Sequence, residues 1–287
     1  MKNMSYIAAN HIDSDTTITP STEDSTFTVE NIYNKRIGKP FKFTGKTGNI
    51  VFDFGSETTI FAIALLGHNL SSGATITLQS NNSDSWGDPY VDESITWRAA
   101  DIYQVLKTGT ITLAAIEWDT GIEWDTGIEW DGAHDFDTTP HFSQQYWRLV
   151  IDDNGCPDSQ VKIGEIYLYT GITTLSQNFN WGSGETDEYI NNIDHTEYMQ
   201  PWVYSLTNRK SFAIDFEIND AATDAELRAW QTAAQGNKYP FVFIPDPDET
   251  DCYYVRFSSD LSLTRKFTTH YISNSIKLIE DPKGKSI

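Results

Sequence analysis

The sequence predicts a mainly β protein: an antiparallel β-sandwich of jelly-roll type followed by a smaller α+β unit with one helix. Three observations lead there. Short runs rich in Val, Ile, Tyr and Phe recur along the chain, several alternating apolar and polar residues, and Gly, Asn, Ser and Asp divide them. Aromatic residues make up 13% of the chain, nine of them Trp, which suits β cores and contact surfaces. Only one segment carries both a start and a stop signal for a helix. The 287 residues are enough for two units, each burying its own core.

Residues 1–25 are rich in Ser, Thr and Asp with little periodicity, and they read as an N-terminal arm that wanders or lies on another subunit. From residue 26 to 171 the runs "NIVFDFG" (49–55), "TIFAIALLG" (59–67), "ATITLQS" (74–80), "YWRLVIDD" (146–153) and "VKIGEIYLY" (161–169) have the length and spacing of sandwich strands. The segment 171–200 breaks that rhythm with Gly, Asn and acidic residues, so a second unit is expected over 172–287. In "SFAIDFEI" (211–218), Phe212, Ile214, Phe216 and Ile218 share one face of a strand because side chains alternate with period two. The helix follows: Thr223 and Glu226 form a Thr-x-x-Glu capping box, Leu227, Trp230 and Ala234 make an apolar stripe, and Gly236 ends it. Strands "YPFVFIP" (239–245), "CYYVRFS" (252–258) and "YISNSIKLI" (271–279) complete a β-α-β-β-β order.

The charge excludes partners. Forty-one acidic against 20 basic residues give −21, which repels a phosphate backbone and an anionic membrane alike, so neither nucleic acid nor membrane is an expected partner. No apolar run reaches the length of a membrane helix and the N-terminus has no signal-type apolar core, so synthesis as a soluble cytoplasmic product is expected. Cys156 and Cys252 fall in different predicted units and are expected to be free thiols.

The stretch "AIEWDTGIEWDTGIEWDG" (115–132) nearly repeats one hexapeptide three times. Six is even, so an extended tract places Trp118, Trp124 and Trp130 on one face and Glu117, Asp119, Glu123, Asp125, Glu129 and Asp131 on the other. Three indoles in water would form an apolar patch, which either covers the chain's own sandwich or meets a partner or glycan. Equivalent carboxylates lie about 20 Å apart when straight, too far for one calcium ion. A bend at a Thr-Gly step would let Glu117, Asp119, Glu123 and Asp125 converge as a metal site. An acidic run that is simply a solvated face is the competing reading.

Catalytic motifs are lacking. The six His are scattered, and His134 and His141 have no recognised ligand spacing; there is no Gly-x-Ser-x-Gly, His-Glu-x-x-His or Walker loop, and "GSGETD" (182–187) reads as a turn. The expectation is a non-enzyme without cofactor. A second candidate binding surface comes from Tyr239, Phe241 and Tyr253, because the aromatic supply of "KYPFVFIP" and "CYYVRFS", with Phe243 and Phe257, exceeds what one small core needs. Sheet edges there could also accept a neighbour's strand.

Two sets of residues are similar to known families. Asp53–Gly55, Gly67–Asn69, Tyr146–Arg148 and Gly164, in the runs 49–80, 146–155 and 161–171, resemble the discoidin, or coagulation-factor type C, sandwich in the version found in tail proteins of bacteriophages. Residues 211–259 look like the strand, helix, strand pattern of small domains in phage tail-tip and baseplate proteins. Each motif residue also has a structural reading: Gly55 and Gly67 as turn residues, Asn69 as a turn or cap, Tyr146 and Trp147 on opposite faces of one strand. The bracketing cysteine pair of secreted discoidin domains is missing, and the acidic 115–145 insertion departs from the phage pattern. The resemblance implies a structural virion protein at the tail tip or baseplate of a tailed phage, made in the host cytoplasm, multimeric, and binding other tail proteins. The alternative it leaves is a carbohydrate- or receptor-binding module that touches host-surface glycan; an enzyme attacking that glycan ranks third.

Overall fold

The computed structural model describes residues 3–99, 101–106, 143–170, 173–180, 184–195, 201–218, 221–246, 251–261, 263–267, 270–273 and 276–281, with 191–195, 201–207, 217, 218, 221, 263–267 and 270–273 as backbone. Period-two patterning builds the sandwich directly. In its five-stranded antiparallel sheet, Ser143–Asp152 lies between Thr47–Thr59 and Thr75–Asn81, and Thr17–Pro20 and Val91–Ser94 form the edges. Register pairs Phe52 with Trp147 and Leu78 with Leu149, and these residues with Ile50, Ile76 and Ile151 point inward and are buried. A three-stranded sheet, with Ala62–Leu66 between Glu165–Tyr169 and Ile102–Val105, covers them with Ile63, Leu65, Ile102, Ile166 and Leu168. Among the described residues, a mainly β architecture with a discoidin-like sandwich and one α-helix is what the sequence called for.

The other large sheet has seven strands, in the order Thr173–Thr174, Ser5–Ile7, Phe241–Ile244, Tyr253–Phe257, Ile276–Glu280, Pro201–Ile214 and Gly184–His195. Its helix, Ala221–Ala233, lays Leu227, Trp230 and Ala234 against Phe212, Phe241, Phe243 and Phe257. Trp230 is fully enclosed, with its ring centroid 4.8 Å from Phe257 and 5.5 Å from Phe241. The stop signal works as expected: Gly236 has φ +67 and its amide reaches the Gln231 carbonyl. The start signal does not. The helix begins at Ala221, before Thr223, and the Glu226 carboxylate instead accepts from the Ser176 amide and hydroxyl, tying down the chain that enters this sheet. The expected strand over 271–279 is also two strands, His270–Ser273 in a small sheet and Ile276–Glu280 in the large one.

The two large sheets are joined through a third core. Ala62, Ala64, Leu66, Tyr103, Tyr167 and Tyr169, on the reverse side of the three-stranded sheet, pack with Ile7, Val242, Ile244, Cys252 and Tyr254. The layers therefore run five-stranded sheet, three-stranded sheet, seven-stranded sheet, helix. Burial on both faces explains why Ala62–Leu66 is a continuous apolar run.

The N-terminal arm is corrected by this arrangement. Ser5–Ile7 is an inner strand of the seven-stranded sheet, Tyr6 stacks on Trp230 at 5.3 Å, Met4 is buried, and Thr17–Pro20 is an edge strand of the sandwich. A three-residue strand is too short to show periodicity, which is why composition alone suggested a loose segment. Both cysteines are buried and free. Among the described residues no helix is long and apolar enough to cross a membrane.

Candidate functional site

A cavity of about 270 Å³ opens where the chain after Ser5–Ile7 runs past the start of Glu165–Tyr169. Glu165 and Tyr167 contribute buried walls, Tyr33 and Lys35 flank them, and Ala8, Asn10, Ile12, Asp13 and Ser14 close the remaining side. Asn10 fixes that side: its amide donates to the Ile166 carbonyl at 2.7 Å, and its side-chain oxygen accepts from Leu168 N at 3.0 Å and Ile12 N at 3.1 Å. The His11 amide adds a bond to the Leu168 carbonyl, so residues 10 and 11 cover the edge of the three-stranded sheet.

Two glycines let the opposite wall approach. A Cβ on Gly67, whose φ is +63, would lie 2.6 Å from the Ile37 side chain, and one on Gly164 would lie 2.8 Å from the Ile37 carbonyl oxygen and 2.9 Å from that of Leu66. With no side chains there, the 34–37 turn drops onto the sheet, Lys35 taking φ +60. The Arg36 amide then donates to Glu165 Oε1 at 2.8 Å. Gly67 and Gly164 belong to the discoidin-like residue set; Gly67, read as a turn residue, takes a left-handed backbone, and Gly164 shares its close approach to Ile37.

Glu165 is wholly buried, and its second oxygen, Oε2, has no hydrogen-bond partner among the described residues. Burial raises its pKa to about 8, outweighing the Arg36 and Lys35 amides and the Lys35 charge, which all pull it down. At neutral pH it is a carboxylic acid, able both to donate and to accept. Burial and the neighbouring Glu165 push the Tyr167 hydroxyl up as well, and that hydroxyl faces Tyr254 at 3.4 Å. On the outer side, the Lys35 ammonium sits 3.6 Å from the centre of the Tyr239 ring and that of Lys238 4.6 Å from it. A hydrogen bond from Lys238 lowers the Tyr239 pKa.

The sequence-derived candidates meet different fates. Tyr239 is half-exposed beside Lys35 and Lys238. Phe241 is no surface residue: it is fully enclosed between Trp230, Phe257 and Tyr6, and Phe243 and Phe257 are buried with it. The helix needs this much aromatic volume beneath it, so the surplus inferred from composition is core. Tyr253 is half-buried against Phe212, ring centres 4.9 Å apart, with Lys210 nearby. Trp118, Trp124 and Trp130, the metal candidates Glu117, Asp119, Glu123 and Asp125, and His134 and His141 lie outside the described residues. Among the described residues no group of three His, Cys, Asp or Glu side chains could hold a metal ion.

The remaining motif residues serve structure. Asn69 accepts from Lys162 N and donates to the Gln160 carbonyl and Asp158, joining two loops. Tyr146 and Arg148 face outward while Trp147 is buried, and Arg148 is held by Gln79 and stacked 4.4 Å over Trp86. Asp53 accepts from Gly55 N and Gln145. Their polar groups are met by neighbouring residues. The cavity residues went unnoticed, although two signals were present: Glu165 is the lone charge in "IGEIYLY", and residues 35–46 carry Lys35, Arg36, Lys39, Lys42 and Lys46 without one acid.

No family model matches the sequence, and no curated protein does. Solved structures do resemble it. A CBM32 carbohydrate-binding module produced by Clostridium perfringens is 17% identical over 57% of this chain and 100% of its own, with a TM-score of 0.37. Chitosan-binding module 1 of a chitosanase/glucanase from Paenibacillus sp. IK-5, in a mutant form, is 14% identical over 57% of this chain and 98% of its own, at 0.35. A fragment of a putative chitobiase from Bacteroides thetaiotaomicron is 14% identical over 54% of this chain and 89% of its own, at 0.36. Scores this low leave the fold to be read from the chain's own sheets and the function from its own residues.

Proposed function

We propose that this chain is a non-catalytic carbohydrate-binding module whose cavity beside Glu165 takes a small saccharide. One observation carries the reading: a concave site of about 270 Å³ has a tyrosine wall, Tyr33, and the polar side chains of Lys35, Asp13 and Ser14 in its lining. Sugar hydroxyls both donate and accept, and the exposed Asp13 carboxylate and Ser14 hydroxyl are complementary to that. Hydrolysis fits poorly, because Glu165 is sealed from solvent and one of its oxygens is committed to the Arg36 amide. Titration calorimetry against a panel of neutral and charged oligosaccharides tests this. Binding that a Tyr33→Ala substitution weakens, with no turnover of the bound sugars, is the expected result. A folded chain that binds none of the panel would overturn the assignment.

A second reading, assembly into the tail of a tailed phage through contacts with other tail proteins, draws support from the ribbon of Gly184–His195 and Pro201–Ile214. Among the described residues only Ser211–Ile214 of that ribbon pairs onward into the seven-stranded sheet. Among the described residues the rest is a two-stranded arm, the kind of element that gains stability from a partner. Particles purified from a phage carrying a chain that lacks residues 189–208 would be complete if this reading is wrong.

A further inference from the structure

One sheet edge of this chain is unlike the others. Every other edge strand among the described residues spans two to five residues, and Asn10 and His11 cover the one at Glu165–Tyr169. Gly184–His195 runs for 12 residues, pairs on its inner side with Pro201–Ile214, and among the described residues has nothing on its outer side. An open edge of that length is a template for a further strand. Tyr189, near its middle, is 69% exposed. The acids of its first half are met within their own sheet: Glu185 pairs with Lys210, Asp187 lies 3.6 Å from the same ammonium, and Glu188 pairs with Arg209 and Lys277.

We infer that the strand added to this edge is the same strand of a second copy of this chain, antiparallel, across a two-fold axis normal to the sheet and centred on Tyr189 or Ile190. Under such an axis, residues directly opposite lie on the same side of the sheet. Sides alternate along a strand, so each allowed register is centred on a residue and not between two. Centred on Ile190, the pairing sets Glu185 opposite His195, Asp187 opposite Ile193 and Glu188 opposite Asn192. Centred on Tyr189, it sets Glu185 opposite Ile193, Asp187 opposite Asn191 and Glu188 opposite Ile190. Asp194 meets Thr186 in the first and Gly184 in the second, so neither register opposes two acids. Moving the centre one residue further does: Glu188 then faces its own copy, or faces Asp194. Like charges directly opposite are destabilising, so the charge pattern of the strand selects the two registers that also pair most of its length. Two chains of −21 repel, yet at physiological salt that repulsion is screened beyond about 8 Å. Such pairing requires neither sugar binding nor assembly into a tail.

The test is sedimentation velocity and light scattering of the full chain from micromolar to millimolar concentration, where a concentration-dependent dimer is expected. Asn191→Asp/Asn192→Asp puts an acid opposite Asp187 in one register and opposite Glu188 in the other, and should weaken the dimer about tenfold. Asn191→Lys/Asn192→Lys puts an ammonium at the same places and should tighten it, a gain that damage to the fold would not produce. Asn82→Asp/Ser83→Asp, in the exposed loop between Thr75–Asn81 and Val91–Ser94, adds the same charge away from the edge and should leave the dimer within about twofold of the parent. A chain that stays monomeric throughout the range overturns the proposal. So does a dimer that the changes at Asn191 and Asn192 leave alone, because the contact then lies on another surface. A loss no larger than that of the Asn82/Ser83 control also overturns it, since net charge alone would then account for the effect.

Discussion

Two carboxylates in this sandwich are completely buried, and they are treated differently. Asp153, at the end of Ser143–Asp152, accepts from the Ser71 amide at 2.7 Å on one oxygen and from the Ser71 hydroxyl on the other. Its own amide and carbonyl bond Lys46 and Cys156, so one residue ties three loops together. Glu165 has one oxygen met by Arg36 and the other met by nothing described. The same fold that saturates one buried acid leaves the other half-satisfied beside a cavity. A saturated buried carboxylate is a fastening; an unsaturated one carries a cost of burial that its neighbours do not fully offset.

Breaking the fastening should have the largest effect. Asp153→Ala strands the Ser71 donors and should cost about 3 kcal/mol, seen as a lower denaturation midpoint with unchanged slope, while sugar binding by the protein that remains folded is retained. Gly164→Ala comes next. Its Cβ meets two backbone oxygens that cannot swing away, so the 34–37 turn must lift, at roughly 1–3 kcal/mol, and the Arg36 amide must leave Glu165. Unlike Asp153→Ala, this change should abolish binding as well as lower stability. If it spares binding, the turn does not build the site.

Glu165→Gln should have an effect that depends on pH and vanishes at the acid end. Below the ordinary glutamate value of 4.5 the acid is protonated in folded and unfolded chains alike. Above it the unfolded chain ionises freely while the folded chain resists until about pH 8, so the parent loses stability as pH rises through that window. The glutamine variant should match the parent near pH 4 and melt higher than it at pH 8 to 9. An identical pH dependence in the two proteins would mean that Glu165 is not the group responsible.

Strand content, the inward face of each sandwich strand and the end of the helix were legible in the sequence, because each follows from alternation or from a residue's own backbone preference. Phe52, Leu78, Trp147 and Leu149 lie inside where period two puts them, and Gly236 turns left-handed where the apolar stripe runs out. The site was not legible in the same way. Asn10 and Asp13 come from a segment that composition called an arm, Tyr33 and Lys35 from a turn, and Glu165 from a strand whose next neighbours are apolar. Nothing local to any of them announces the others. The same limit hid the fate of the aromatics: Phe241 and Tyr239 are two residues apart, and whether such residues meet core or solvent depends on where the helix and Lys35 come to rest.

The sequence by itself therefore determined the β architecture, the single helix, the net repulsion of anionic polymers and the local concentration of cations at 35–46, since these are properties of short windows and of sums. Tertiary structure alone decided that Ser5–Ile7 completes a distant sheet, that Gly67 and Gly164 admit Ile37, and that Glu165 is left with an unpaired oxygen. Those are outcomes of packing between residues remote in the sequence, where burial removes water as a partner and only the neighbours supplied by the fold can replace it.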